Sequence, residues 1–339
     1  MSKRVLAIVG TLLITVACGG VAVAPSANSS STTVAPFSLR VAGGLALATN
    51  NGQQVKMWAD DLSKMSNGKI TVDAHYGDLG ADVEVLHGLQ NGSIDCIFDG
   101  TDIYASLDPK LGVFSLPFMF SNYNQLYAAE DGKAGQDLLS GLASQGIVGL
   151  AYSDLGFRNF ANNVRPINTP ADLKGLKLRT LQGTIPVATV QAFGAIPVPL
   201  GANEIYTSLQ THTVDGLDMP VPYFVSAKLY EVVKYYSLSL HTLTAMAFAC
   251  SKSKWDSLSP AQQDLITKAT LAAAKAGRAY DKNLEASGLQ DLKSKGVQIN
   301  DVSDLAAFKQ LMPPVYQLAD GTIGASTIQA IQQAAQSAH

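Results

Sequence analysis

The chain has 339 residues and a net charge of −3, from 24 Lys and Arg against 27 Asp and Glu. The charges are interspersed, which implies neither a nucleic acid nor an anionic membrane surface as a partner. A mature chain of about 320 residues is long enough for two lobes.

The N-terminal stretch carries Lys3 and Arg4, a mostly apolar run from Val5 to Val16, and then Ala17, Cys18, Gly19 and Gly20. The run is short for a bilayer span and reads as an export signal. Thr15–Cys18 resembles a bacterial lipobox with threonine in place of the usual leucine. Residues 1–18 are therefore expected to be a lipoprotein-type signal peptide, with Cys18 as the lipidation site; cleavage without lipid is the alternative. Residues 19–36 are small, polar and proline-marked, a composition that packs no core and reads as a flexible tether.

From Phe37 onward strands and helices alternate. Residues 38–44 (SLRVAGG) read as a strand. Gln53–Met65 places Val55, Trp58, Leu62 and Met65 at helical spacing, with Asn67-Gly68 as its stop. Residues 69–76 alternate as a strand, Asp82–Gln90 reads as a short helix, and residues 93–100 (SIDCIFDG) form the next strand. This order predicts a mostly parallel sheet covered by helices. Ligands of such sheets sit beyond the carboxyl ends of the strands, here at residues 43–51, 76–82 and 99–104. Asp78, Asp82 and Glu84 suit a cation or ligand hydroxyls, or equally a solvated helix start. Leu116–Phe120 (LPFMF) reads as the packing of a loop into the core.

Further along, Thr169 caps a turn that opens at Pro170, with Asp172 near its positive end. After Gly175, Leu176–Arg179 alternates apolar and basic residues like a strand with one buried face. The pattern alone leaves Lys177 and Arg179 as solvated charges on the outer face. Residues 232–252 read as extended. Ser259-Pro260-Ala261-Gln262 is a capping box. It opens a helix to about Lys293 with Leu265, Ile266, Ala269, Ala273, Ala276, Tyr280 and Leu284 on one stripe. Such a helix spans about 50 Å, more than one lobe needs. GxGxxG, Walker, GxSxG and HExxH motifs are absent. His75, His87, His212, His241 and His339 lack metal-ligand spacing, so neither cofactor nor metal is expected. His212 reads as a loop residue facing water.

Five blocks between Gly156 and Pro220 resemble the TRAP-transporter solute-binding proteins of the DctP family, extracytoplasmic receptors for small organic acids. They are GFR at Gly156–Arg158, PINTPADLKGLKLR ending at Arg179, GAIPVPL at Gly194–Leu200, EIYTSLQT at Glu204–Thr211, and VDGLDMP at Val214–Pro220. The resemblance implies a two-lobed, periplasmic-binding-protein-like α/β fold. Its sheets would be mixed and mostly parallel, with a hinge and a long helix bridging both lobes. Lobe I would take residues 37–156 plus 245–284, and lobe II residues 157–244 plus 285–339. In that family the arginine of the KLR block clamps the ligand carboxylate and the G-x-R arginine supports it. That makes Arg179 the clamp and Arg158 its second, and a guanidinium fork suits a carboxylate. The candidate ligand-binding set is Arg179, Arg158, Met219, Asp218, Gln182 and Asp82. Met219 stands where relatives that bind acidic sugars often carry asparagine, and Ala202 where some carry an aromatic. These departures argue against sialic acid and leave a compact monocarboxylate, a 2-oxo or hydroxy acid, or a sugar acid. The resemblance puts Cys96 and Cys250 at different points of the fold. Two buried free thiols are therefore expected over a long-range disulfide. The implied partners are an organic-acid ligand, a TRAP-type permease and, through Cys18, a membrane. The alternatives are an exported α/β enzyme acting on an organic acid, or a receptor for a signalling partner.

Overall fold

The structure is a computed structural model that describes residues 35–43, 46–80 and 82–338. The expected signal peptide, Cys18 and most of the expected tether lie outside the described residues. Nine strands among the described residues form one sheet: β1 (Phe37–Gly43), β2 (Ile70–His75), β3 (Cys96–Gly100), β4 (Ile147–Asn162), β5 (Lys177–Thr180), β6 (Ile196–Pro199), β7 (Gly216–Pro220), β8 (Tyr235–Ser251) and β9 (Gln298–Asp301). The order is β2-β1-β3-β8-β4-β7-β5-β6, with β9 on β8. Each flank is parallel, β1 with β2 and β3, and β5 with β6 and β7, as strand–helix alternation requires. The long antiparallel pair β4–β8 runs through the middle and joins the flanks. It is irregular at Gly149, at Asp154/Gly156 and at Arg158/Phe160. Gly156 holds φ +100° at the central bulge, and a Cβ there would lie 3.1 Å from the Tyr123 hydroxyl. Only glycine sits there without strain.

Helices cover the faces for local reasons. Asn50–Met65 begins three residues before the pattern predicts because Thr49 caps it, its hydroxyl accepting from Gly52 N. Trp58, Phe98 and Phe248 fill the core beneath it, the Phe248 ring centroid lying 5.7 Å from that of Trp58 and 4.2 Å from that of Phe98. Leu116 and Phe120 are buried in the core, as the loop-packing expectation had it. The capping box at Ser259 forms, and the helix it opens runs from Pro260 to Ser294. That helix packs on Asn50–Met65, crosses β4, and reaches the helix Val221–Ser226 on the opposite flank, so it bridges the two halves. The last helix, Ala325–Gln336, lies on Tyr123–Asp131 and Lys133–Gly141.

Two expectations are corrected. Cys96 and Cys250 form a disulfide. A sequence separation of 154 hides what the antiparallel register supplies, which sets these two residues directly opposite each other on β3 and β8. Closing so long a loop typically contributes 2–5 kcal/mol. Cys96→Ser with Cys250→Ser should therefore lower Tm by on the order of 5–15 °C in calorimetry; an unchanged Tm would show that the bond does not support the native state. The apolar stripe of the long helix is also misdrawn beyond Ala273. Its buried face carries Gly277, Asp281 and Gly288, while Ala276 is exposed. Gln54 and Asn50 reach the helix there, each donating to Asp281 Oδ2 at 2.9 Å, so a polar seam replaces the apolar one.

The same seam contains Asp154 of β4, which accepts from the Tyr127 hydroxyl at 3.0 Å. Burial pushes its carboxyl up to about 7, against the Tyr127 hydrogen bond and Arg278, with Glu285 adding to the rise. A folded pKa above the unfolded one means stability that is full below about pH 4 and lost as pH rises through about 7. Ligand-free Tm should accordingly fall between pH 5 and pH 8, and Asp154→Asn should flatten part of that fall. An identical slope in the variant would remove Asp154 as its source.

Candidate ligand-binding site

A cavity of about 820 Å³, counted to its open mouth, lies between the two flanks of the sheet. Loops at the carboxyl ends of β1, β2 and β3 supply Gly43, Asn51, Leu79, Asp82, Asp99 and Asp102 to one wall, where strand order places a crevice. The other wall carries Arg158, Arg179, Ala202, Ile205, Met219 and Tyr223.

Arg179 is 1% exposed, so it is not the solvated charge that alternation suggested. It shares a strand face with exposed Lys177, but at its end of β5 that face turns into the cavity. Nε and Nη2 donate to the Leu200 carbonyl at 3.0 and 2.8 Å, which fixes the plane of the guanidinium. Burial, then the like charge of Arg158, pulls its pKa below the usual arginine value, with Asp218, Tyr223 and Asp82 opposing. Among the described residues no carboxylate lies within ion-pair distance of Arg179.

Arg158 differs. Its Nε donates to Asp218 Oδ2 at 2.7 Å and its Nη2 to Oδ1 at 2.9 Å, and Nη1 donates to Thr244 Oγ1 at 3.3 Å. Burial works against the Asp218 charge, yet Arg158 and His241 hold that carboxyl well below the usual range. His241, kept neutral by burial, contacts Asp218 Oδ2 through Nε2 at 3.1 Å and Ser239 Oγ through Nδ1 at 2.8 Å. Phe160 stacks on its ring with centroids 4.5 Å apart. Arg158 is thus neutralised and locked, whereas Arg179 presents a buried positive charge to the cavity.

The structure brings Arg179, Arg158, Met219 and Asp82 together on the cavity. Asp218 lies behind Arg158 as its ion-pair partner. Gln182 lines an adjoining cavity with Val83, Ser106 and Pro186. The acidic cluster is split: Asp78 pairs with His75 at 3.0 Å while Asp82 turns to the cavity. Among the described residues no group of three or more His, Cys, Asp or Glu is arranged to hold a metal. His212 is exposed. Sequence reasoning missed Tyr223, Asp99 and Asp102. The two aspartates fall in the loop 99–104 that strand order had marked. Tyr223 follows the VDGLDMP block by three residues and carries no local signal, since only the short helix Val221–Ser226 aims it inward.

Residues 42–321 match the profile of the DctP family, bacterial extracellular solute-binding protein family 7. The 2,3-diketo-L-gulonate-binding periplasmic protein YiaO of Escherichia coli is 32% identical over 300 residues, 86% of this chain and 89% of its own length. The sugar acid binding protein DctPAm of Advenella mimigardefordensis, in complex with galactonate, has a similar fold with a TM-score of 0.87 at 32% identity, covering 90% of this chain and 100% of its own. A TRAP periplasmic solute binding protein of Shewanella oneidensis with bound succinate gives a TM-score of 0.84 at 27% identity, covering 89% and 100%. Among the described residues no helix is long and apolar enough to cross a membrane.

Proposed function

The chain belongs to the DctP family of bacterial extracellular solute-binding proteins, and from that premise we propose that it captures a small organic acid by its carboxylate and delivers it to a TRAP-type permease. The observation that supports this most strongly is the Arg179 guanidinium. It is buried on the cavity wall, held in plane by the Leu200 carbonyl, and has among the described residues no carboxylate partner such as Arg158 has. A ligand carboxylate would supply that partner in a site of low dielectric, where a bidentate pair is strongest.

Met219 and Asp82 would contact the ligand directly, and Asp218 would act through Arg158. Gln182 would meet only a ligand that reached the adjoining cavity. The two lobes, residues 37–156 plus 245–284 and residues 157–244 plus 285–339, would divide β4 and β8 near the Gly156 bulge and close around the ligand as a hinge. Cys18 would tether the receptor to the membrane by lipid. The bound acid would leave unchanged, since no serine or cysteine is among the described residues that line the cavity.

A thermal-shift screen of organic acids, followed by NMR of the mixture with the best hit, tests the reading. A true ligand at a hundredfold excess over its Kd should add about 2.7 kcal/mol of stability and be recovered intact. A ligand consumed by the protein would support the enzyme alternative instead.

A further inference from the structure

Beside the cavity, the polar seam of the long helix is also a point where the two proposed lobes meet. The Asn50 backbone N–H, from the lobe I range, donates to Ser226 Oγ at 3.0 Å. Ser226 donates in turn to the carbonyl of Tyr223, whose helix lies in the lobe II range and on the cavity wall. The Asn50 side chain ties the same junction to Asp281 of the bridging helix. One hydrogen-bond donor is missing there. Asn50 and Asp281 are each 0% exposed, yet Asn50 Oδ1 and Asp281 Oδ1 have no partner among the described residues. Asn50 Nδ2 and Gln54 Nε2 both donate to the other oxygen, Asp281 Oδ2.

Nor does a cation balance the carboxyl. Among the described residues no lysine, arginine or histidine lies within ion-pair distance of Asp281. Arg278, one turn earlier, is held by Glu130 at 2.7 Å and Asp131 at 2.6 Å, and Lys282 is exposed. The titratable groups that face Asp281 are Asp154 from β4, with Glu285 and Tyr280 from its own helix. Tyr127 and Tyr123, from the helix Tyr123–Asp131, donate to Asp154 and Glu285 and bring no positive charge. The helix Asn50–Met65 offers Asp281 the neutral Asn50 and Gln54. Among the described residues no carboxyl group is arranged with others to hold a metal. A bare carboxylate here would be a buried, unpaired charge beside further acids, which is strongly unfavourable.

We infer that Asp281 carries a proton on Oδ1 and donates it to Asn50 Oδ1, and that this neutral pair fastens the lobe junction, so that closing on a ligand takes up a proton from solvent. The proton follows from the junction alone; its link to the ligand rests on the receptor reading. Burial raises the Asp281 carboxyl well above the usual range, against the Asn50 and Gln54 hydrogen bonds and with Asp154 and Glu285 adding to the rise. Opening the lobes would wet the seam and return the carboxyl toward that range. A closed-state pKa above the open-state one means affinity that is full at low pH and lost as pH rises.

Asp281→Asn separates the proton from the shape, because its amide N–H supplies the missing donor at every pH. The infrared difference spectrum of wild type against this variant at pH 7 should show the C=O stretch of a neutral carboxylic acid, where an ordinary aspartic acid has lost its proton. Calorimetric titration with galactonate and with succinate, in buffers of different ionisation enthalpy, reads the protons taken up. The carboxyls of the cavity add their own pH dependence, so the difference between the two proteins is the quantity that counts. Wild type should take up more protons than Asp281→Asn, and its affinity should weaken about three- to tenfold more between pH 7 and pH 8. At pH 6 the two should bind alike. Absence of the neutral-acid band would overturn the inference, as would equal proton uptake by both proteins. Failure of both acids to bind would count against the receptor reading and remove the link to the ligand, while the infrared band would still decide the proton.

Discussion

Arg179→Ala should lower affinity for the cognate acid by about 30- to several-thousand-fold, the ~2–5 kcal/mol expected when one partner of a buried charge pair is truncated. The ligand-free protein should keep its stability or gain slightly. Its folded state already bears the burial of this guanidinium next to a like charge, and the variant gives up only the hydrogen bonds to the Leu200 carbonyl. Arg179→Lys should bind poorly as well, because an ammonium cannot offer two parallel donors in one plane. Titration calorimetry paired with differential scanning calorimetry separates the two effects. Loss of fold with binding intact in the folded fraction would make Arg179 a structural residue.

The opposite split is expected one strand away. Asp218→Ala leaves the Arg158 guanidinium buried and unpaired, and it removes the acceptor of His241. Breaking a buried pair from one side costs about 3–5 kcal/mol, a fall in Tm on the order of 5–15 °C. Whatever affinity is lost would follow from a displaced Arg158. Removing the stranded charge as well, with Asp218→Ala and Arg158→Met together, should recover much of the lost Tm, because neighbouring groups are not additive. Equal Tm values for Asp218→Ala and the wild type would mean that the ion pair contributes nothing to the fold.

Much of this architecture could be read from residue patterns because the signals are local. Thr169 and Ser259 cap helical turns where the chemistry says they should, and the strand–helix order placed the cleft loops at residues 43–51, 76–82 and 99–104. What escaped depends on distant partners. Alternation put Arg179 on the correct face of β5, but burial of that face comes from the loops of the opposite flank, which periodicity cannot register. The Cys96–Cys250 bond depends on the register of two strands 154 residues apart in sequence. Asp281 breaks the apolar stripe of the long helix because Asn50 and Gln54 come from another helix to meet it. Asp218 read as a ligand contact from its place in the VDGLDMP block; its hydrogen bonds to Arg158 put it one layer back.

The most direct test is a crystal structure of the protein with its tightest-binding acid. The ligand carboxylate should lie with both oxygens about 2.7–2.9 Å from Arg179 guanidinium nitrogens, while Arg158 keeps its pairing with Asp218. A carboxylate seated elsewhere, with Arg179 bonded only to the Leu200 carbonyl, would contradict the account at its centre.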